Sequence, residues 1–172
     1  ALASGTAFAV HNYLWEASTP FLQSYPATEI GPMILISIAA GPFFGLIALL
    51  FMAAILMFSK LPVQIGLTSS QSLLIAIIGL STIGTFYPQV MGLGTQTIIN
   101  LTNENALLIA ALSILIAKIV ATALSLGFGF FGGVFSPALL VGAAAGSVAT
   151  AVVNWTGLHS FQGPELVICG MA

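Results

Sequence analysis

The chain has 172 residues, of which 59% are hydrophobic and only 3% charged, with two Lys/Arg against four Asp/Glu and a net charge of −2. A soluble domain carries roughly a quarter charged residues, so a mean hydropathy of +1.14 excludes a water-soluble surface and marks a polytopic membrane protein. The small net charge and the lack of a basic stretch exclude nucleic acid as a partner. The single cysteine, Cys169, excludes an intrachain disulfide and a thiolate metal cluster.

The first apolar segment, residues 2–15, is short for a span of about 20 residues and is followed by a polar loop holding Glu16, Pro20, Gln23, Pro26 and Glu29. Residues 32–58 are apolar throughout and, if helical, long enough to cross obliquely. Gly41-Pro42 is a candidate kink inside that segment. Lys60 and Pro62 are read as its end, and Ser69 or Ser70 as the cap of the next helix. As the only cationic loop residue, Lys60 assigns that loop to the cytoplasm.

Residues 71–86 are too few to span comfortably. The stretch from Tyr87 through Gly92, Gly94 and Gln96 is a poor helix set among apolar neighbours. Ile98 and Ile99 lead into a polar patch at residues 100–105, where Asn103 is a candidate cap for the full-length span 106–126. That span carries Lys118 in its middle. A glycine-rich loop comes next, and then an apolar helix that ends near residues 154–157. A last apolar segment opens at Leu166. With no initiating Met and an apolar end at residues 166–172, the chain reads as a piece of a longer protein, a partial transmembrane domain over residues 1–172.

Half-length helices interrupted by glycine do not suit a simple bundle of spanning helices. They suit a channel or transporter in which broken helices place their ends at a site near the midplane. Irregular backbone at membrane depth is tolerated only where protein or a water-filled cavity covers it. The fold class expected is all-α, with tilted, broken and partly re-entrant helices.

Residues 127–146 carry the sharpest signal. The glycine-rich loop runs into Phe135-Ser136-Pro137 and on into an apolar helix. Proline is favoured in the first helical turn, where its missing N–H has no intrahelical partner to lose. The helix therefore begins near Ser136 and Pro137, and the N–H groups around Val134 and Phe135 are left without a carbonyl. Such donors are costly in hydrocarbon. An anion would satisfy them, with help from the positive end of the helix dipole.

Gly132-Gly133-Val134-Phe135-Ser136-Pro137 resembles the G-x-F-x-P signature of the CLC chloride channels and proton-coupled chloride exchangers. Ala117-Lys118-Ile119-Val120-Ala121-Thr122 is similar to the basic residue and small-residue run of the preceding CLC helix. Gly142 with Gly146 matches the glycine pattern after the signature, Gly170-Met171-Ala172 the next helix, and Gly41-Pro42-Phe43-Phe44-Gly45-Leu46 the start of an earlier long helix. The sequence departs from many members at Phe128, Phe130 and Phe131, and Ser136 replaces a common alanine.

The resemblance implies chloride or a similar anion as cargo, in a bilayer, through a homodimer with one pore per subunit. It places anion-binding backbone at Val134 and Phe135, with Gly132 and Gly133 beside them, and Lys118 as a source of positive potential in the pathway. The alternatives for Lys118 are snorkelling and pairing with a carboxylate from another segment. The family motifs G-S-G-I-P and G-[KR]-E-G-P are not in these residues. Their serine and gating glutamate, with the inner proton-relay glutamate, are expected upstream, and the pore tyrosine beyond Ala172, so this piece alone is not expected to conduct.

No catalytic or metal-binding constellation is expected, no cofactor and no enzymatic activity. His11, His159, Glu16, Glu29, Glu104 and Glu165 read as interfacial residues, and Ala138, Gly142 and Gly146 as a stripe for close helix packing. The triplets Asn100-Leu101-Thr102 and Asn154-Trp155-Thr156 match a glycosylation pattern by chance. Compact loops suggest the inner membrane of a bacterium. Two other functions stay open: a secondary transporter of another substrate built from similar broken helices, and a non-transporting membrane assembly subunit.

Overall fold

The computed structural model describes residues 30–103, 108–155 and 164–171. The segment at residues 2–15, the polar loop after it, and His11, His159, Glu16, Glu29 and Glu104 lie outside the described residues, as does the side chain of Glu165. The described residues are all-α: α1 (Ile30–Ile65), α2 (Ser69–Phe86), a 3₁₀ turn at Pro88–Val90, α3 (Thr95–Asn103), α4 (Leu108–Gly127), α5 (Phe135–Trp155) and α6 (Pro164–Met171). By length and composition α1, α2, α4 and α5 can each cross a membrane. At 36 residues, α1 is about 54 Å long at 1.5 Å per residue, well beyond the hydrocarbon thickness, so it must tilt or protrude.

Several boundaries differ from the sequence reading, each for a local reason. α1 runs through Lys60 and Pro62 instead of ending there, so Lys60 is a helical residue and not a loop cation. The stop is Gly66, whose φ of 71° is left-handed. Its N–H donates to Val63 O at 3.2 Å and that of Leu67 to Pro62 O at 2.9 Å, the paired bonds of a Schellman C-cap. Next, α2 is capped by Thr68 and not by Ser69 or Ser70. Ser72 N–H donates to Thr68 O at 2.9 Å, and Thr68 N–H donates to Gln71 Oε1 at 3.0 Å. The two extra residues bring α2 to 18, long enough to cross. Asn103 closes α3, and the start of α4 is first described at Leu108.

The core sits on α4 and α5, whose apolar windows are 44% and 50% buried against 6% for α1 and 11% for α2. Ala111, Ile114 and Leu115 of α4 pack with Leu140, Val141 and Ala144 of α5 and with Val90, Ile98 and Val167. α5 and α6 run antiparallel in backbone contact. A Cβ on Gly142 would meet the Gly170 carbonyl oxygen, and one on Gly146 the Leu166 carbonyl oxygen. Bare glycine is what allows this approach. The same device joins α1 to α4, where a Cβ on Gly127 would stand 2.7 Å from the Phe58 carbonyl carbon. Pro62, four residues on, has no N–H for that Phe58 carbonyl.

Candidate anion site

The glycine-rich loop starts from a second Schellman cap. Gly129 (φ 101°) donates to Leu126 O at 3.4 Å, and Phe130 N–H to Ser125 O at 3.0 Å. This satisfies the last carbonyls of α4 and turns the chain sharply. Phe128 is buried against Ala76 and Leu124, with its ring 6.5 Å from that of Phe58. Phe131 beyond it is fully exposed. The aromatic departures at 128–131 thus split: Phe128 anchors the loop, Phe130 packs half-buried against the same cluster, and Phe131 lies on the surface.

α5 opens at Phe135 with Pro137 in its first turn. The first backbone bond of the helix is donated by Ala138 to Val134 O at 3.0 Å. The N–H groups of Val134, Phe135 and Ser136 therefore have no acceptor within the helix. Ser136 does not cap them. Its Oγ donates to Leu93 O at 3.1 Å, which ties the first turn of α5 to the turn before α3.

Lys118 sits on the buried face of α4, 5% exposed. Its ammonium does not run out to a helix end: Nζ donates to Val90 O at 2.7 Å and to Gly92 O at 3.0 Å. Its described partners are thus backbone carbonyls, a pairing the sequence reading had not considered. Lys118, Gly132, Gly133 and Pro137 share with Gly92 and Thr122 the lining of one cavity of about 190 Å³. Val134 is absent from that lining. Phe135, 78% exposed, instead lines a separate apolar cavity of about 240 Å³ with Phe44, Phe51, Gly142 and Met171. The predicted residues therefore fall around one loop–helix junction that borders two cavities, with the lysine on the glycine side.

The sequence reading missed Ser136 and Thr97 as ties. Thr97 Oγ1 donates to Gln89 O at 2.8 Å. The available signal was the irregular stretch 87–94 itself, whose carbonyls need donors from elsewhere at membrane depth. Among the described residues no group of three or more His, Cys, Asp or Glu could hold a metal ion. Cys169 is partly buried in α6.

A family model described as "Voltage gated chloride channel" matches residues 1–172, the whole chain. The chain belongs to that family. No curated protein and no solved structure matches it. Members of the voltage gated chloride channel family are channels or transporters and not enzymes, so the chain is an integral membrane protein of chloride transport. The resemblance carried by the Gly132–Pro137 hexapeptide and its flanks is confirmed at the level of the family.

Proposed function

We propose that the chain forms part of a transmembrane anion pathway in which chloride is held by the backbone N–H groups of Val134 and Phe135, beside Gly132 and Gly133. The observation that carries this reading is the first turn of α5. It leaves those N–H groups without a helical acceptor, directly after Gly132 and Gly133, which line one cavity together with Lys118. Neutral peptide dipoles hold an anion without a full counter-charge that would trap it, and binding that permits conduction must be weak enough for the ion to leave.

Lys118 adds a positive potential from within the low-dielectric interior. Its ammonium has three donors, two of which are spent on carbonyls. No cofactor takes part in this mechanism. The functional unit is a homodimer with one pathway per subunit, in the inner membrane of a bacterium.

The test is anion flux from liposomes that hold the complete native polypeptide, with proton movement recorded alongside. Chloride efflux with coupled proton uptake identifies an exchanger, and uncoupled chloride efflux a channel. Well-folded protein that moves no anion overturns the reading.

A further inference from the structure

The turn at residues 87–94 lacks regular structure beyond its single 3₁₀ turn, yet its carbonyls are almost fully engaged. Tyr87 O and Pro88 O accept from Val90 and Met91 N–H inside the turn, and Gly94 O accepts from Ile98 N–H. The remaining donors come from three different helices. Thr97 on α3 reaches Gln89 O, Lys118 on α4 reaches Val90 O and Gly92 O, and Ser136 on α5 reaches Leu93 O. Among the described residues only Met91 O has no donor. The same turn lends Val90, Met91 and Gly92, though not Leu93, to the lining of the cavity that Gly132, Gly133 and Pro137 also line.

A carbonyl oxygen is the negative end of its dipole. Left free on a cavity wall it repels an anion, and at membrane depth it is also costly in its own right. We infer that Ser136 and Lys118 are positioning residues for anion binding: Lys118 keeps the cavity-lining Val90 and Gly92 carbonyls engaged, and Ser136 fixes the turn against the first turn of α5. The inference rests on the anion being held at the start of α5, as proposed above. It assigns Ser136 a role through its side chain, where the family pattern commonly has alanine and needs only backbone. It also gives Lys118 a directional task, to engage two named oxygens, besides its charge.

The experiment is calorimetric titration of chloride into the complete native polypeptide in detergent, with thermal unfolding measured on the same samples. Ser136→Ala should weaken binding about five-fold, the scale of one lost hydrogen bond. Ser136→Thr, which keeps the hydroxyl, should bind as the unaltered protein does. Lys118→Met should bind more weakly than Lys118→Arg, a loss that includes the charge, so Ser136→Cys, whose thiol is only a weak donor, decides the matter by weakened binding if Ser136→Ala does not assemble. Lower thermal stability with an unchanged dissociation constant marks a purely structural brace and overturns the proposal. Bromide located by anomalous scattering in the unaltered protein separates the two levels. Halide beside Val134 and Phe135, with affinity indifferent to Ser136 and Lys118, sinks the positioning role alone. Halide bound elsewhere sinks the anion-site reading and this one with it.

Discussion

Gly142 on α5 and Gly170 on α6 lie so close that a Cβ added to either would strike the other's carbonyl oxygen. The two antiparallel helices thus meet backbone to backbone, and the contact continues at Gly146 against Leu166. This seam holds the far wall of α5 while its first turn faces the candidate anion site.

Gly142→Ala should therefore destabilise the protein by about 3 kcal/mol, the cost of overpacking where backbone cannot give way. A Cβ at Gly41 in α1 meets nothing within 4 Å among the described residues. Gly41→Ala should be neutral or stabilising by about 1 kcal/mol, from helix propensity alone. Detergent thermal unfolding of the two variants side by side checks the difference. Equal melting would contradict the α5–α6 seam.

The start of α3 offers a second comparison. Gly92 and Gly94 both have left-handed φ, 66° and 71°. Only at Gly94 would a Cβ meet a neighbour, standing 2.6 Å from Leu140 Cδ2. Gly92→Ala should cost about 1–2 kcal/mol from backbone strain alone. Gly94→Ala should cost more, and pairing it with Leu140→Ala should recover part of the excess. Strict additivity in that double-mutant cycle would rule out the contact.

These glycines show what a single sequence makes legible. The Gly132–Pro137 hexapeptide announced its helix start because proline is favoured in the first helical turn, where its missing N–H has no intrahelical partner to lose. The start of α5 was found at Phe135, one residue from the expected position. The span with Lys118 was equally plain from its length. By contrast, Lys60 and Pro62 looked like a helix end, since a cation in the last turn and a proline just beyond it are C-terminal signals. The backbone ran on to Gly66, whose left-handed cap is a conformational property that composition does not display. The partners of Lys118 were hidden for a different reason. They are backbone carbonyls 26 and 28 residues away, and a carbonyl has no letter in the sequence. Ser136 was read as part of a motif, and its bond to Leu93 O depends on how α5 packs against a turn more than 40 residues earlier.

Lys118→Met removes the donors to Val90 O and Gly92 O together with the buried charge. Stability should fall by about 3 kcal/mol, the scale of leaving buried acceptors unpaired. Chloride flux at low ionic strength should fall about tenfold, because the attractive field in the cavity is lost. Lys118→Arg should keep most of the flux. Liposome flux assays over a range of salt concentrations check this. Flux indifferent to the charge at position 118 would remove the lysine from the pathway.

The central claim is that an anion sits against backbone N–H groups at the start of α5. Anomalous diffraction from crystals of the complete native polypeptide in bromide tests it most directly. The expected result is a bromide peak within hydrogen-bonding reach of the Val134 and Phe135 N–H groups, diminished when chloride competes. Ordered bromide bound only at other positions, with this junction empty, would contradict the account.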